Sequence, residues 1–416
     1  MTIGWKNAIL SRIIPYRNLI IIEKYLLQKG RGMYTSLRCT FVFLLFLLLC
    51  SSLYAQNISI SDYQVPVSSA KQLRANGNYI WNGTGSTPTA NSLHGDMLFR
   101  TFYSSLPFAW FVNGTGSVDH SLNQEWQYAT HADGTIRKYI NDNQDWFASG
   151  GLTFDYAKTD SQPGVDVRVA GGYGRYIDAT ALAKAVRIED HLLKENAIKD
   201  HMPKETMIKI ANIIERQGEY QDLYGSTYEV QWFADIEKEV KASGTMVGEN
   251  LGAIGLYRIR QVLEGINEKV NPRYYGWDVS AGIEKNIVNR YKNPLDPAAL
   301  SIAADYALPI DWSMQANGSV KVNTPVDSSF FKGFTVTGEA DYLYELSNKI
   351  NFTAQYNLTY LKPVNVDGIS TQALTAGFLF YIENNINYGF QAGYTKVGSA
   401  DATETMSMTL QYNLFY

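Results

Sequence analysis

The chain has 416 residues, of which 45% are hydrophobic and 18% charged, and its formal net charge is −4. This composition is too apolar for a disordered chain and predicts a packed structure. The 29 Tyr, 18 Phe, 8 Trp and 33 Gly favour β structure. Beyond residue 55, 29 basic and 39 acidic residues leave a net charge of −10, which argues against binding to a nucleic-acid backbone.

Residues 1–55 are predicted to be a leader and signal peptide. An unbroken apolar run at 41–49 follows Arg38 and precedes small residues that end at Ala55. Because a membrane-spanning helix needs about 20 apolar residues, this run favours a cleaved secretory signal over a permanent anchor. Met33 begins a conventional signal of its own and is the expected true start of the chain.

Both cysteines, Cys39 and Cys50, lie in this leader. The mature chain is therefore expected to have no thiol for a disulfide, a zinc site or a nucleophile, and we expect no metal and no cofactor. Lipid attachment at Cys50 is the disfavoured alternative, because Leu48 and Leu49 stand where lipid-attachment signals carry small residues.

The body of the chain alternates between apolar and polar residues with a period of two. The pattern is strict at 334–345 and 349–362. It also fits 275–284, 300–308, 310–322 and 386–395 and, less cleanly, 72–81, 146–156 and 165–173. A soluble sandwich alternates too, but its strands average about five or six residues, whereas tilted bilayer-crossing strands need about ten. The length and the aromatic ends of these segments predict an antiparallel transmembrane β-barrel.

The C-terminal segment 405–416 alternates in the same way and ends in an aromatic residue. Its apolar positions are Met406, Met408, Leu410, Tyr412, Leu414 and Tyr416. Five of them, from Met408 to Tyr416, resemble the C-terminal assembly signal of Gram-negative, porin-like outer-membrane β-barrels. This resemblance implies export to the bacterial outer membrane, contact with outer-membrane lipid, and use of the last strand by the barrel-assembly machinery.

Connection lengths predict the strand count and orientation. Short links alternate with longer ones rich in Gly, Pro, Asp and Ser, the first of which is expected at 83–92. Outer-membrane barrels keep short turns on the periplasmic side and longer loops outside. The alternation predicts about 14 strands, within a range of 12–16, divided between a first part of the barrel at 56–177 and a second part at 272–416.

Residues 178–271 lose the period of two and are predicted to form a helical insertion between strands 6 and 7. The helices are expected near 179–199, 204–218, 226–243 and 249–270, and their apolar stripes predict a small bundle. The parity of the connections places this bundle in the periplasm, and a plug folded into the lumen is the alternative. His191 and His201 lack the spacing of a helical zinc pair and are expected on the bundle surface.

Two histidines near predicted extracellular strand ends are candidates for hydrolytic chemistry. His94 with Asp96, and His120 with Asp119, could each act as a base and its orienting acid. Neither pair lies in a motif, so we expect exposed polar residues and no catalytic residue. An outer-membrane hydrolase is the third choice of function.

The predicted inward face carries the remaining functional signal. Its charged positions are Arg74, Arg100, Asp155, Asp166, Arg168, Asp278, Asp305, Lys321, Glu339, Asp341 and Glu345. A barrel of about 14 strands has room for water unless it is filled, so the first hypothesis is a pore or transporter for small solutes whose mildly acidic lumen favours cations or neutral molecules. Two alternatives remain: the charges pair across a plugged interior, or the barrel is a structural or docking protein that anchors the helical bundle for a periplasmic protein partner.

Overall fold

The computed structural model describes residues 58–412, except 86, 142, 143, 267, 292, 384 and 385. The leader 1–55 and the terminal residues Leu414 and Tyr416 of the proposed assembly signal lie outside this part of the chain. Within it are fourteen β-strands and an insertion of five α-helices between the sixth and the seventh strand.

Six strands precede the insertion and eight follow it. The first six are β1 (Ser68–Thr84), β2 (Thr87–Ser104), β3 (Phe108–Ser121), β4 (Gln127–Tyr139), β5 (Trp146–Ala157) and β6 (Gly164–Asp178). The others are β7 (Tyr274–Val288), β8 (Ala299–Pro309), β9 (Met314–Pro325), β10 (Phe334–Ser347), β11 (Ile350–Lys362), β12 (Ile369–Glu383), β13 (Ile386–Val397) and β14 (Thr403–Tyr412).

Each strand pairs antiparallel with its neighbours in sequence, so the order of the sheet is the order of the chain from β1 to β14. The sheet is strongly curved, because Arg137 on β4 reaches Asp278 on β7, three strands away. These observations confirm the predicted fold class for the described residues: an antiparallel β-barrel of the transmembrane type, with fourteen strands and a helical insertion between the sixth and the seventh.

The two faces of the strands differ in polarity. Leu73, Phe99, Trp277 and Val320 are examples of large apolar side chains exposed on the outer face, while the next residue along each strand is charged and lies on the inner face. The strands contain 10 to 18 residues, enough to cross about 30 Å of hydrocarbon at a tilt. An exposed apolar face of this extent is suited to lipid rather than water.

The predicted loop at 83–92 is wrong. Strand β1 continues to Thr84 and β2 begins at Thr87, so the connection is a tight turn. A register shift between Asn82 and Gly83 lets the two strands remain paired up to this turn. The polar residues of this stretch thus extend a long hairpin, because backbone pairing does not require apolar side chains at a strand end.

The insertion between β6 and β7 is helical, as predicted, but it contains five helices rather than the four expected. They are α1 (Thr180–Lys194), α2 (Lys204–Glu215), α3 (Gln217–Tyr224), α4 (Tyr228–Ala242) and α5 (Gly252–Glu264). None of the described helices combines the length and the apolar character that a membrane span requires.

The helices pack around one apolar core. Leu182, Ile210, Trp232, Ile236 and Ile259 are almost completely buried there. The Trp232 indole N–H donates to the carbonyl of Ile213 at 2.9 Å, which satisfies its one polar atom. The core is therefore that of a compact bundle, as the predicted apolar stripes require.

The segment that precedes β1 also belongs to this core. Ile58, Ile60 and Tyr63 are buried among the helices. The indole N–H of Trp312, in the β8–β9 turn, donates to the Ile58 carbonyl at 3.2 Å, and the Tyr275 hydroxyl on β7 donates to the Tyr63 carbonyl. This segment, residues 58–67, is called the N-terminal strap below, because it ties the bundle to the barrel.

We expect Ile236→Ala to lower the free energy of unfolding of the bundle by about 2–5 kcal/mol, the usual cost of a cavity at a fully buried aliphatic position. The measurement is urea denaturation of the full chain in detergent, followed by ellipticity at 222 nm. Leu223→Ala, at an exposed helical position, is the matched control and should change stability by less than about 0.5 kcal/mol. Equal losses in the two variants would contradict the assigned core.

Candidate functional site

The eleven charged residues predicted to line the lumen all lie on strands β1, β2 and β5–β10. Several of them contact other residues of the same inner face. Arg100 Nε donates to Asn113 Oδ1 at 3.2 Å, and Asn286 Nδ2 donates to Asp166 Oδ1 at 3.0 Å. The inner wall is thus a polar surface held together by cross-strand hydrogen bonds.

Four of these residues meet in one cavity of about 440 Å³, here called the acidic cavity. Its charged lining consists of Asp278, Asp305, Glu339, Asp341 and Arg137. Arg137 Nη1 donates to Asp278 Oδ2 at 2.8 Å, so one carboxylate is neutralised by direct contact. The three other carboxylates leave the cavity with an excess of negative charge.

A group of three oppositely charged side chains, Lys321, Glu284 and Arg168, lies next to the acidic cavity. Lys321 Nζ donates to Glu284 Oε1 at 2.8 Å, and Arg168 Nε lies 3.5 Å from the same oxygen. Glu284 therefore compensates two of the four predicted lumen cations, Lys321 on β9 and Arg168 on β6. This part of the wall carries little unbalanced charge.

A second cavity, of about 400 Å³, lies toward the longer loops and is called the outer cavity. Its lining includes Arg74, His131, Asp155 and Arg290. Asp155 contacts His131 Nδ1 at 2.7 Å through one oxygen and forms an ion pair with Arg290 through the other. The predicted residue Asp155 is therefore a structural partner of His131 and Arg290 rather than a free lumen charge.

The candidate hydrolytic pairs are arranged differently from the prediction. His94 Nδ1 contacts Asp119 Oδ1 at 2.6 Å and is only loosely associated with Asp96, at 3.9 Å. The predicted partner of Asp119, His120, instead stacks on Trp126 with ring centroids 4.5 Å apart. Among the described residues, no serine hydroxyl is hydrogen-bonded to either imidazole, so the contacts assemble no nucleophile and base.

Glu345 differs from the other predicted lumen residues because it faces the helical insertion. Its carboxylate is paired with Arg187 of α1 at 2.6 Å and with Arg273 at 3.1 Å. Asn271 Nδ2 donates to the same carboxylate at 2.7 Å. A buried carboxylate at the end of β10 thus fixes the insertion to the barrel.

The same network continues into the bundle through Glu268. Arg187 Nη1 lies 3.2 Å from one oxygen of Glu268, and His191 Nε2 contacts the other at 2.6 Å. His191 is 7% exposed, so its predicted surface position is wrong. The cause is this carboxylate, which allows a polar ring to be buried; His201 remains partly exposed beside Glu189. Residues 187, 191, 268, 273 and 345 are called the junction network below.

A third cavity, of about 600 Å³, lies where the barrel interior meets the insertion and is called the basal cavity. Its wall includes Phe102, Phe111 and Arg137, and its helical side includes Glu215 at the end of α2. The Glu215 side chain is open to the cavity although protein surrounds it. Burial and the charge of Asp178 together raise its pKa to about 7, against the opposing charge of Lys184.

Several functional residues were not found from the sequence. Arg137 and His131 lie on β4, whose inward positions from Gln127 to Arg137 are mostly polar, although its outward face is broken by Thr130 and Gly134. The alternation of polar and apolar residues in β4 was therefore present but weak. Helix periodicity shows that Glu215 leaves the apolar stripe of α2, but it cannot show that the residue faces a cavity.

Comparison with known proteins identifies no family. No protein-family profile matches the chain, and no curated protein matches it. Two similar solved structures are "Salmonella typhi OmpF complex with Daunomycin", with 9% identity, a TM-score of 0.29 and coverage of 83% of this chain and 96% of that one, and "CymD monoaromatic hydrocarbon channel", with 10% identity, a TM-score of 0.27 and coverage of 86% and 90%. At these scores the architecture rests on the strand registers and contacts described above.

The junction network should make the stability of the insertion depend on pH. Burial alone would raise the pKa of Glu268, but the hydrogen bond from His191 and the charge of Arg187 together lower it. A lowered folded-state pKa stabilises the fold above the unfolded value of about 4.3, and this stabilisation is lost as the pH falls through the folded pKa. We therefore expect Glu268→Gln to cost about 3–5 kcal/mol at pH 7 and less at pH 3.

Urea denaturation of the full chain, followed at 222 nm from pH 3 to pH 7, measures this effect. Glu205→Gln, at an exposed position in the first turn of α2, is the control and should keep the wild-type pH dependence. An equal loss of stability at pH 3 and pH 7 in Glu268→Gln would contradict the ionic role of this residue.

Proposed function

We propose that the protein is an outer-membrane β-barrel that conducts small hydrophilic solutes through its polar interior. The observation that carries this proposal is the set of three cavities along the inner wall, each lined by charged side chains from several strands. A structural barrel has no need of so much polar, accessible space. The exposed apolar outer face supports a location in lipid, and export by the leader with assembly through the last strand belongs to the same proposal.

The charge of the interior favours cations and neutral solutes. The acidic cavity has carboxylates from three strands against one arginine, which already contacts Asp278. A fixed negative potential in a narrow aqueous space attracts cations and repels anions. Asp305 and Asp341 are the side chains that carry this preference.

The insertion is proposed to lie on the periplasmic side, at the end of the barrel where short links such as 105–107 and 348–349 join the strands. Its contacts reach β1 through Glu219 and β10 through Arg187, so it covers part of this end. A domain in this position can control access to the interior.

A docking role for the insertion is the second candidate function. Three apolar side chains of the helices are well exposed: Leu223 at 75%, Val230 at 67% and Ile254 at 61%. Large exposed apolar residues on a water-facing domain favour contact with a protein partner.

We propose no enzymatic activity, because the contacts of His94 and His120 assemble no nucleophile.

Conduction is tested with a labelled cysteine in the acidic cavity. Cys39 and Cys50 are the only cysteines of the chain, so replacing both with serine gives a background free of thiols. In this background we expect discrete current steps in planar bilayers. We also expect Ser319→Cys, whose position lines the acidic cavity, to lose at least half of the current after reaction with a positively charged methanethiosulfonate.

Val320→Cys is the matched control, because the next residue along β9 points to the outer face and is exposed there. The same reagent should leave its current unchanged. Absence of current steps in the background protein would overturn the conduit proposal, and co-purification of a periplasmic partner in that case would support the docking role.

A further inference from the structure

The basal cavity has an apolar half that is unusual for the interior of a polar barrel. Phe102 and Phe111 stack with ring centroids 5.7 Å apart, and Phe111 is 41% exposed to the cavity. Ala109 and Leu106 extend this surface on the barrel side, and Val65 of the N-terminal strap extends it on the other. Aromatic surface facing water inside a barrel is unfavourable unless an apolar group covers it.

The opposite half of the cavity carries two carboxylates. Glu215 lines it from α2, and Asp178 lines it from the end of β6. Among the described residues, no hydrogen bond or ion pair is recorded for the Glu215 carboxylate. Asp178 accepts from the backbone and hydroxyl of Thr180 through one oxygen only. Two acids therefore face one cavity without a cation in direct contact.

The arginines of the cavity are engaged elsewhere. Arg137 donates to Asp278 and lies over the Phe147 ring, with 4.3 Å to the centroid. Arg175 donates to Asp145 at 2.8 Å and to two backbone carbonyls. Arg168 faces Glu284. Lys184 is near enough to oppose the rise in the pKa of Glu215, but burial and the charge of Asp178 outweigh it. In the part of the chain that the structure describes, no ion pair joins Lys184 to either carboxylate.

We infer that the basal cavity binds a small amphipathic organic cation, with its aromatic or aliphatic body against Phe102 and Phe111 and its protonated amine beside Glu215 and Asp178. A volume of about 600 Å³ lies in the usual range for a small-molecule site. This inference rests on the proposed function, since it names the class of solute that the interior holds at the insertion. An amine in this place would give the two carboxylates a cation in direct contact.

The test compares three acridines of nearly equal shape at pH 8, where Glu215 is ionised. These are 9-aminoacridine, a cation; acridine, which is neutral; and acridine-9-carboxylate, an anion. Equilibrium dialysis of the full chain in neutral detergent measures their binding. We expect the cation to bind at least about tenfold more tightly than the anion, and Glu215→Gln to remove about tenfold of the cation affinity.

Two further variants separate the halves of the site. Phe111→Ala should weaken the cation and the neutral probe alike, because it removes surface that both would cover. Glu205→Gln, on the same helix but outside the cavity, should bind all three probes like the wild type. Ellipticity at 222 nm checks that each variant keeps its helices.

Equal binding of the three probes, preference for the anion, or wild-type cation affinity in Glu215→Gln would each overturn the inference. If current steps appear in planar bilayers but the cation does not bind, the conduit proposal is supported and the inference about the class of solute is overturned. If the cation binds but no current steps appear, the binding site is supported and the conduit proposal is overturned.

Discussion

The structure depends on one constraint: each strand must pair its backbone with both neighbours while keeping apolar side chains on one face only. Because the side-chain period of a strand is two, a register slip of one residue would turn the apolar face inward. Among the described residues, the four register shifts of the sheet occur near strand ends, as at Glu345 and at Tyr381. The central parts of the strands therefore keep their two faces, and the interior and exterior remain chemically distinct.

The charges in the polar interior that results must be compensated, because an unpaired charge in a partly enclosed space is unfavourable. Several cations of the inner wall contact a carboxylate on another strand, as Arg137 contacts Asp278 and Lys321 contacts Glu284. Such pairs reduce the cost of bringing charge into a partly enclosed space. Negative charge remains in excess where carboxylates outnumber their partners, in the acidic cavity and in the basal cavity. The interior thus combines a neutralised wall with two local acidic zones.

Periodicity predicted the architecture because it depends on local sequence. Strict alternation at 349–362 identified β11, and the helical stripe with Ile259 identified α5. The contacts that define the site are not local. Glu345 has the inward parity that the pattern predicts, yet its partner Arg187 lies 158 residues away in the chain. The burial of His191 likewise depends on Glu268, 77 residues away, which no spacing rule relates to it.

The N-terminal strap makes the core of the small bundle depend on contacts between residues that are far apart in the sequence. The helices are local structures, but their core also contains Tyr63 and Ile58, which are held by residues 212 and 254 positions later in the chain. Contacts of such sequence separation require closure of large loops before they contribute to stability. The bundle can therefore complete its core only after β7 and the β8–β9 turn have been synthesised and have reached the N-terminal strap, so its final packing follows the formation of this part of the sheet.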